Sequence, residues 1–156
     1  MFLQDIGAAY DEQRGYPPYK SGVKGADFKK VSEFFGNACC YCGGKFSAAT
    51  PPCQDHLVPI NKTRLGLHSW GNIVPSCRSC NAAKHGGDWK EFILERAAKG
   101  INPQDQHKRI KQFIAEYRYD PTADLATLAQ DLYSEVGAVA MKLVDLKVER
   151  AREAMK

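Results

Sequence analysis

With 156 residues, 44% hydrophobic and 26% charged, the chain has the size and composition of one folded globular domain, which argues against wholesale disorder and against a membrane protein. Its formal net charge of +4 is uneven: residues 1–36 carry five basic and five acidic side chains, 37–100 carry eight and four, and 101–156 carry nine and nine. All the excess positive charge therefore lies in the middle third, where a polyanion such as nucleic acid would be met.

The opening "MFLQDIGAAY" holds an acid at Asp5 and no basic region, so it does not read as a secretory leader, and the expected compartment is the cytoplasm. No apolar run approaches transmembrane length, so no membrane partner is expected. The next stretch, "DEQRGYPPYKSGVKG", is rich in Gly, Pro and Tyr and has no helical or strand period, which reads as an extended arm. Its Arg14, Lys20 and Lys24, interleaved with Tyr16 and Tyr19, suit either a nucleic-acid backbone or packing on the domain's own surface. In "DFKKVSEFFG", Phe28, Val31 and Phe35 share one helical face and Gly36 ends it, predicting a short helix.

A cysteine knuckle follows, and then the pattern predicts a strand in "QDHLVPI", a polar loop "NKTRLGLHSWG", a second strand "NIVP" and a helix near "SCRSCNAAK". Asp88 is the expected N-cap of a helix with Trp89, Phe92 and Ile93 on its apolar face and Gly100 as its stop. Another helix is expected from "NPQD", with Pro103 in its first turn and Ile110, Phe113, Ile114 and Tyr117 inward. From Thr122 onward, Leu125, Leu128, Leu132, Val136, Val139, Leu143 and Leu146 recur in steps of three and four, predicting a long amphipathic helix. Its step of four after Leu132 breaks a heptad repeat, so the helix suits packing within the chain or the seam of a homodimer. These elements divide the chain into an N-terminal arm and helix (1–36), a core (37–100) and a helical extension (101–156).

Cys39 and Cys42 form one C-x-x-C pair and Cys77 and Cys80 another. In a reducing compartment, two such pairs supply the four thiolates of a closed tetrahedral structural Zn²⁺ site. The 34 residues between the pairs exceed a zinc-ribbon interval, so a hairpin carrying Asp55 and His56 stands inserted between the halves of the clamp. Cys40 and Cys53 lack such spacing and are expected to be ordinary thiols, buried or half-buried. Trp70 and Trp89 are expected in the core.

Taken together, "CCYCGGKF", "DHLVPINK" and "GNIVPSCRSCNAAKH" resemble the HNH endonuclease family over about residues 37–86. The resemblance implies an α+β architecture: a small zinc-clamped ββα-metal core flanked by the N-terminal arm and the C-terminal helices. It implies His56 as the general base that activates water against a phosphodiester, and Asn72 as the residue that holds the hairpin loop and orients His56. It implies Asp55 and Asn81 as ligands of a second, catalytic divalent ion. His85, one helical turn beyond Asn81, takes a position that a second histidine fills in some branches, as a possible third ligand.

The chemistry suits these residue types. An imidazole titrating near neutrality can take a proton from water, and Mg²⁺ or Mn²⁺ wants the oxygen donors of Asp55 and Asn81, with His85 favouring Mn²⁺. Lys62, Arg64, Arg78 and Lys84 are candidates for phosphate contacts. His68 and His107 fall outside the signature and are expected in ordinary structural roles.

Neighbouring residues of a regular strand face opposite sides, so Asp55 and His56 share a site only if the strand bends or ends there. The expected function is a metal-dependent endonuclease hydrolysing DNA, with restriction or phage defence among its possible settings. A zinc-ribbon module that binds nucleic acid without cutting it is the alternative.

Overall fold

The computed structural model describes residues 2–20, 22–60, 66–97 and 104–120, together with 141, 142, 144–149 and 153. Residues 1–119 form one compact unit and 120–156 a second. The first has the element order α1 (Phe2–Gln13), α2 (Ala26–Phe34), β1 (Cys53–His56), β2 (Ile73–Ser76), α3 (Arg78–Lys84), α4 (Trp89–Ala97) and α5 (Gln104–Glu116). In the second, residues 141, 142 and 144–149 are helical with exposed Met141, Val144, Leu146 and Val148. The expected seam from Thr122 otherwise lies outside the described residues.

β1 and β2 pair antiparallel, with Cys53 opposite Ser76, Asp55 opposite Val74 and His56 opposite Ile73. β2 is buried along its whole length, whereas all four residues of β1 are half-buried. The apolar face of α2 packs Phe28, Val31 and Phe35 into a shared core with Phe92 and Ile93 of α4 and Ile110 and Phe113 of α5. Trp70 and Trp89 both belong to that core, and Trp70 stacks on Tyr117 at 5.2 Å between ring centroids. α4 is capped as expected: the Asp88 carboxylate accepts from the Lys90 amide at 2.7 Å and, more distantly, from that of Glu91.

The N-terminal region departs from the expectation. Residues 2–13 are helical, and the arm residue Arg14 is not laid out for a nucleic-acid backbone but is nearly buried. Asp11, fully buried, accepts from the Arg14 guanidinium at 2.7 Å, from Ser69 Oγ at 2.6 Å, and from the amides of Trp70 at 3.1 Å and Tyr19 at 2.9 Å. Arg14 also donates to the carbonyls of Tyr10, Trp70 and Tyr117 and lies over the Tyr10 ring at 3.9 Å. The physical reason is charge: once α1 buries a carboxylate, a hydrogen-bonded cation must accompany it.

This cluster ties α1 to the segment entering β2 and to the end of α5. Asp11→Ala should leave Arg14 buried and unpaired, at a cost of about 3–5 kcal/mol of folding stability. Urea denaturation would check it, and a loss under about 1 kcal/mol would mean that the pin is dispensable.

Candidate active site and thiol centre

Two sites share the β1, β2 and α3 scaffold. The first is built from thiols. Cys39 and Cys42 stand on a knuckle closed by the Cys39 amide donating to the Gly44 carbonyl at 2.9 Å, and by the Gly43 amide donating to that of Cys39 at 2.8 Å. Cys77 stands at the N-cap position of α3, without a capping bond from its side chain, and Cys80 lies one turn inside the helix. The four Sγ atoms lie within 4.8 Å of one another, with Cys42 and Cys77 at 3.9 Å. Zinc–sulfur bonds of about 2.3 Å in a tetrahedron would set the sulfurs roughly 3.8 Å apart, so the donors fit such an ion.

Without a cation these thiols cannot ionise together. The hydrogen bond from Cys80 holds Cys39 down to about 5, and the same bond pushes Cys80 up; burial raises Cys42. A divalent ion relieves that conflict by taking the place of the protons. Arg96 adds positive charge, donating to Cys80 Sγ at 3.0 Å. The four cysteines can therefore hold a metal ion such as zinc. Cys40 (buried) and Cys53 (half-buried) stand outside the cluster, as their spacing implied.

The second site opens beside the first. A cavity of about 650 Å³ is lined by Asp55, His56, Arg78, Asn81, Lys84 and His85, among others. The conflict of strand faces is resolved because β1 stops at His56, where the backbone amide of His56 turns onto Asp55 Oδ1 at 2.8 Å. The chain then enters a loop that Asn72 closes. Fully buried, Asn72 accepts from the Val58 amide at 2.7 Å and donates to the carbonyls of Val58 at 3.0 Å and Leu67 at 2.8 Å. Gly66 is required in the same closure: a Cβ there would lie 2.0 Å from the Val58 carbonyl oxygen. Burial, with His68 and Lys84 nearby, lowers the His56 imidazole to about 4, so the ring is neutral at pH 7.

The remaining expected residues are placed as follows. Asn81 lies in α3, but His85 lies just past its end in left-handed backbone (φ 39°, ψ 49°), an unfavourable conformation for a residue with a side chain. Arg78 is exposed at the cavity. Lys62 and Arg64 lie outside the described residues. Lys84 does not reach out for phosphate: its side chain is 1% exposed, and its ammonium lies 3.3 Å from Asp55 Oδ2 and donates to the His56 carbonyl at 2.7 Å. A partly buried carboxylate draws its counter-charge inward in this way.

Two residues were not foreseen. Tyr41, inside the cysteine knuckle, donates its hydroxyl to Asp55 Oδ2 at 2.7 Å, and His68 places Nδ1 at 3.1 Å from His56 Nε2. Tyr41 sits between Cys40 and Cys42, inside the knuckle that the spacing assigned only to metal binding, and His68 stands 12 positions beyond His56, so their pairing depends on how the intervening loop closes.

Residues 39–87 match the family model described as HNH endonuclease. The chain is also similar, at 26% identity over 114 residues, to the SPbeta prophage-derived protein YoqL of Bacillus subtilis (strain 168), itself named as an HNH endonuclease on a provisional basis. That match covers 64% of this chain and 44% of the relative, so the chain spans less than half of the relative's length. No solved structure matches. Among the described residues, no helix is long and apolar enough to cross a membrane. The stretch that matches the HNH endonuclease family model, residues 39–87, is therefore the one that carries the thiol cluster and the hairpin.

Proposed function

We propose that the chain is a metal-dependent DNA endonuclease with a structural zinc and a separate catalytic Mg²⁺ or Mn²⁺. The observation that carries this reading is that Asp55, His56, Asn81 and His85 line one and the same cavity. His56, neutral at pH 7, takes the proton of the attacking water. Asn72 holds the loop that fixes where His56 stands. The oxygens of Asp55 and Asn81, with a nitrogen of His85, form a donor set suited to a hard or borderline divalent cation. When bound, that ion supplies charge neutralisation at the leaving oxygen. Lys84 pairs with the Asp55 carboxylate and anchors the His56 backbone. Arg78, exposed where it lines the cavity, is the phosphate contact at this site. The middle third's excess of basic side chains supports DNA as substrate. The prophage origin in the relative's name supports a phage-linked setting, such as restriction or defence.

One observation favours a second reading, a zinc module that binds nucleic acid without cutting it. The Asp55 carboxylate is already engaged by Tyr41 and Lys84, so a cation must share it. Metal titration of DNA cleavage separates the two. Asp55→Ala and Asn81→Ala should each raise the Mg²⁺ or Mn²⁺ concentration needed for half-maximal cleavage by more than about tenfold, while zinc content stays at one per chain. His85→Ala should shift the curves less, and differently for the two ions. Unshifted curves in both the Asp55 and Asn81 variants would sink the assignment.

A further inference from the structure

We infer that His68 is a positioning residue for His56, holding the base in the one tautomer that leaves a nitrogen free for water. The inference deepens the endonuclease reading and rests on it for its catalytic consequence. The observation is the 3.1 Å approach of His56 Nε2 to His68 Nδ1, with the rings 5.3 Å apart between centroids.

A bond between two neutral imidazoles carries one proton, and its direction fixes both tautomers. If His68 donated, His56 Nε2 would be consumed as an acceptor and its Nδ1 would carry the proton, leaving no basic nitrogen. If His56 donates from Nε2, its Nδ1 is left bare on a ring that lines the cavity. Only the second arrangement makes His56 a base. A general base oriented by a third group is the arrangement that nucleophile activation requires in unrelated hydrolases, where the wrong tautomer costs up to about 10⁴-fold.

His68 is held in place from both sides. The Leu67 amide donates to Tyr119 Oη at 3.1 Å, and the Leu67 carbonyl accepts from Asn72 at 2.8 Å. Ser69 donates to Asp11 at 2.6 Å. α1 presses on the His68 backbone where Gly7 has no side chain: a Cβ there would lie 2.3 Å from the His68 carbonyl oxygen. The Tyr19 ring meets the imidazole edge-on at 5.4 Å. The buried Asp11 and Arg14 pin thus gains a functional consequence, since it fixes the segment that carries His68.

The test uses the zinc-loaded full chain with His68→Leu, which removes the acceptor, and His68→Asn, whose Oδ1 offers an acceptor at the same reach as Nδ1. Long-range proton–nitrogen NMR reads the His56 tautomer without relying on activity. Wild type and His68→Asn should show His56 protonated at Nε2, and His68→Leu should lose that preference. On supercoiled plasmid with Mn²⁺, His68→Leu should lower kcat about 10²-fold with KM within twofold, while His68→Asn recovers most of the loss. A wild-type His56 protonated at Nδ1, or a His68→Leu variant cutting at the wild-type rate, would overturn the inference. If the wild type fails to cut in each of Mg²⁺, Mn²⁺, Ni²⁺ and Co²⁺, the endonuclease reading fails, and the positioning of His56 by His68 is then decided by the tautomer alone.

Discussion

Replacing Cys39 with alanine should cost the chain its zinc and unfold its centre. Cys39 and Cys80 lie inside the aromatic core, at 1% and 0% exposure, so the thiol cluster is part of the packing. Structural zinc binds cysteine-rich sites with roughly 10–16 kcal/mol of apparent free energy at neutral pH, as much as or more than the 5–15 kcal/mol that keeps an ordinary domain folded. Elemental analysis should find less than one zinc per chain, with the near-ultraviolet signal of the core aromatics lost. Cys53→Ala is the matched control and should keep one zinc, because Cys53 stands outside the cluster. A folded, zinc-loaded Cys39→Ala chain would show that the wrong ligands have been identified.

His56→Ala should abolish cleavage while leaving DNA affinity nearly intact. A general base acts on the proton of the attacking water and contributes little to ground-state binding of phosphate, so the loss falls on kcat, by about 10²–10⁴-fold. The fold should tolerate the change. His56 is the last residue of β1, half-buried at the cavity, and its strand bonds are made by the backbone. Binding measured by anisotropy on a short duplex should change by less than about threefold, since no charge on the protein is removed at pH 7. An alanine variant that lost zinc, or that lost binding and cleavage in equal measure, would make His56 a structural residue.

Much of this was legible in the chain because the signals were local. Paired cysteines at fixed spacing, Asp88 before an apolar face, and Phe28, Val31 and Phe35 on one helical stripe each depend on neighbours within a turn or two, and the structure places them as expected. α1 was missed even though Ile6 and Tyr10 stand one turn apart. Gly7 lowers helix propensity there, and its reason for being glycine, the approach of His68, comes from 61 residues away. Arg14 was read as a surface cation because its partners, Ser69 and Tyr117, are remote in sequence. Lys84 was misread for a related reason. A lysine on a short helix ordinarily faces solvent, and only the closure of the hairpin brings Asp55 to it. His68 shows the same limit, since the signature that singled out His56 says nothing of what meets its other nitrogen.

The most direct test of the endonuclease reading is the conversion of supercoiled plasmid by the zinc-loaded chain in Mg²⁺ or Mn²⁺. On that reading His56 is the general base of the cavity and Asp55 and Asn81 its oxygen donors, so a single chain would act on one strand per encounter and a double-strand break would take two chains or two successive nicks. Open-circle DNA should accumulate before linear DNA, chelation by EDTA at preserved zinc content should stop the reaction, and His56→Ala should leave the plasmid supercoiled. A wild-type chain that binds the plasmid and leaves it supercoiled across Mg²⁺, Mn²⁺, Ni²⁺ and Co²⁺ would contradict the account and make the domain a binding module.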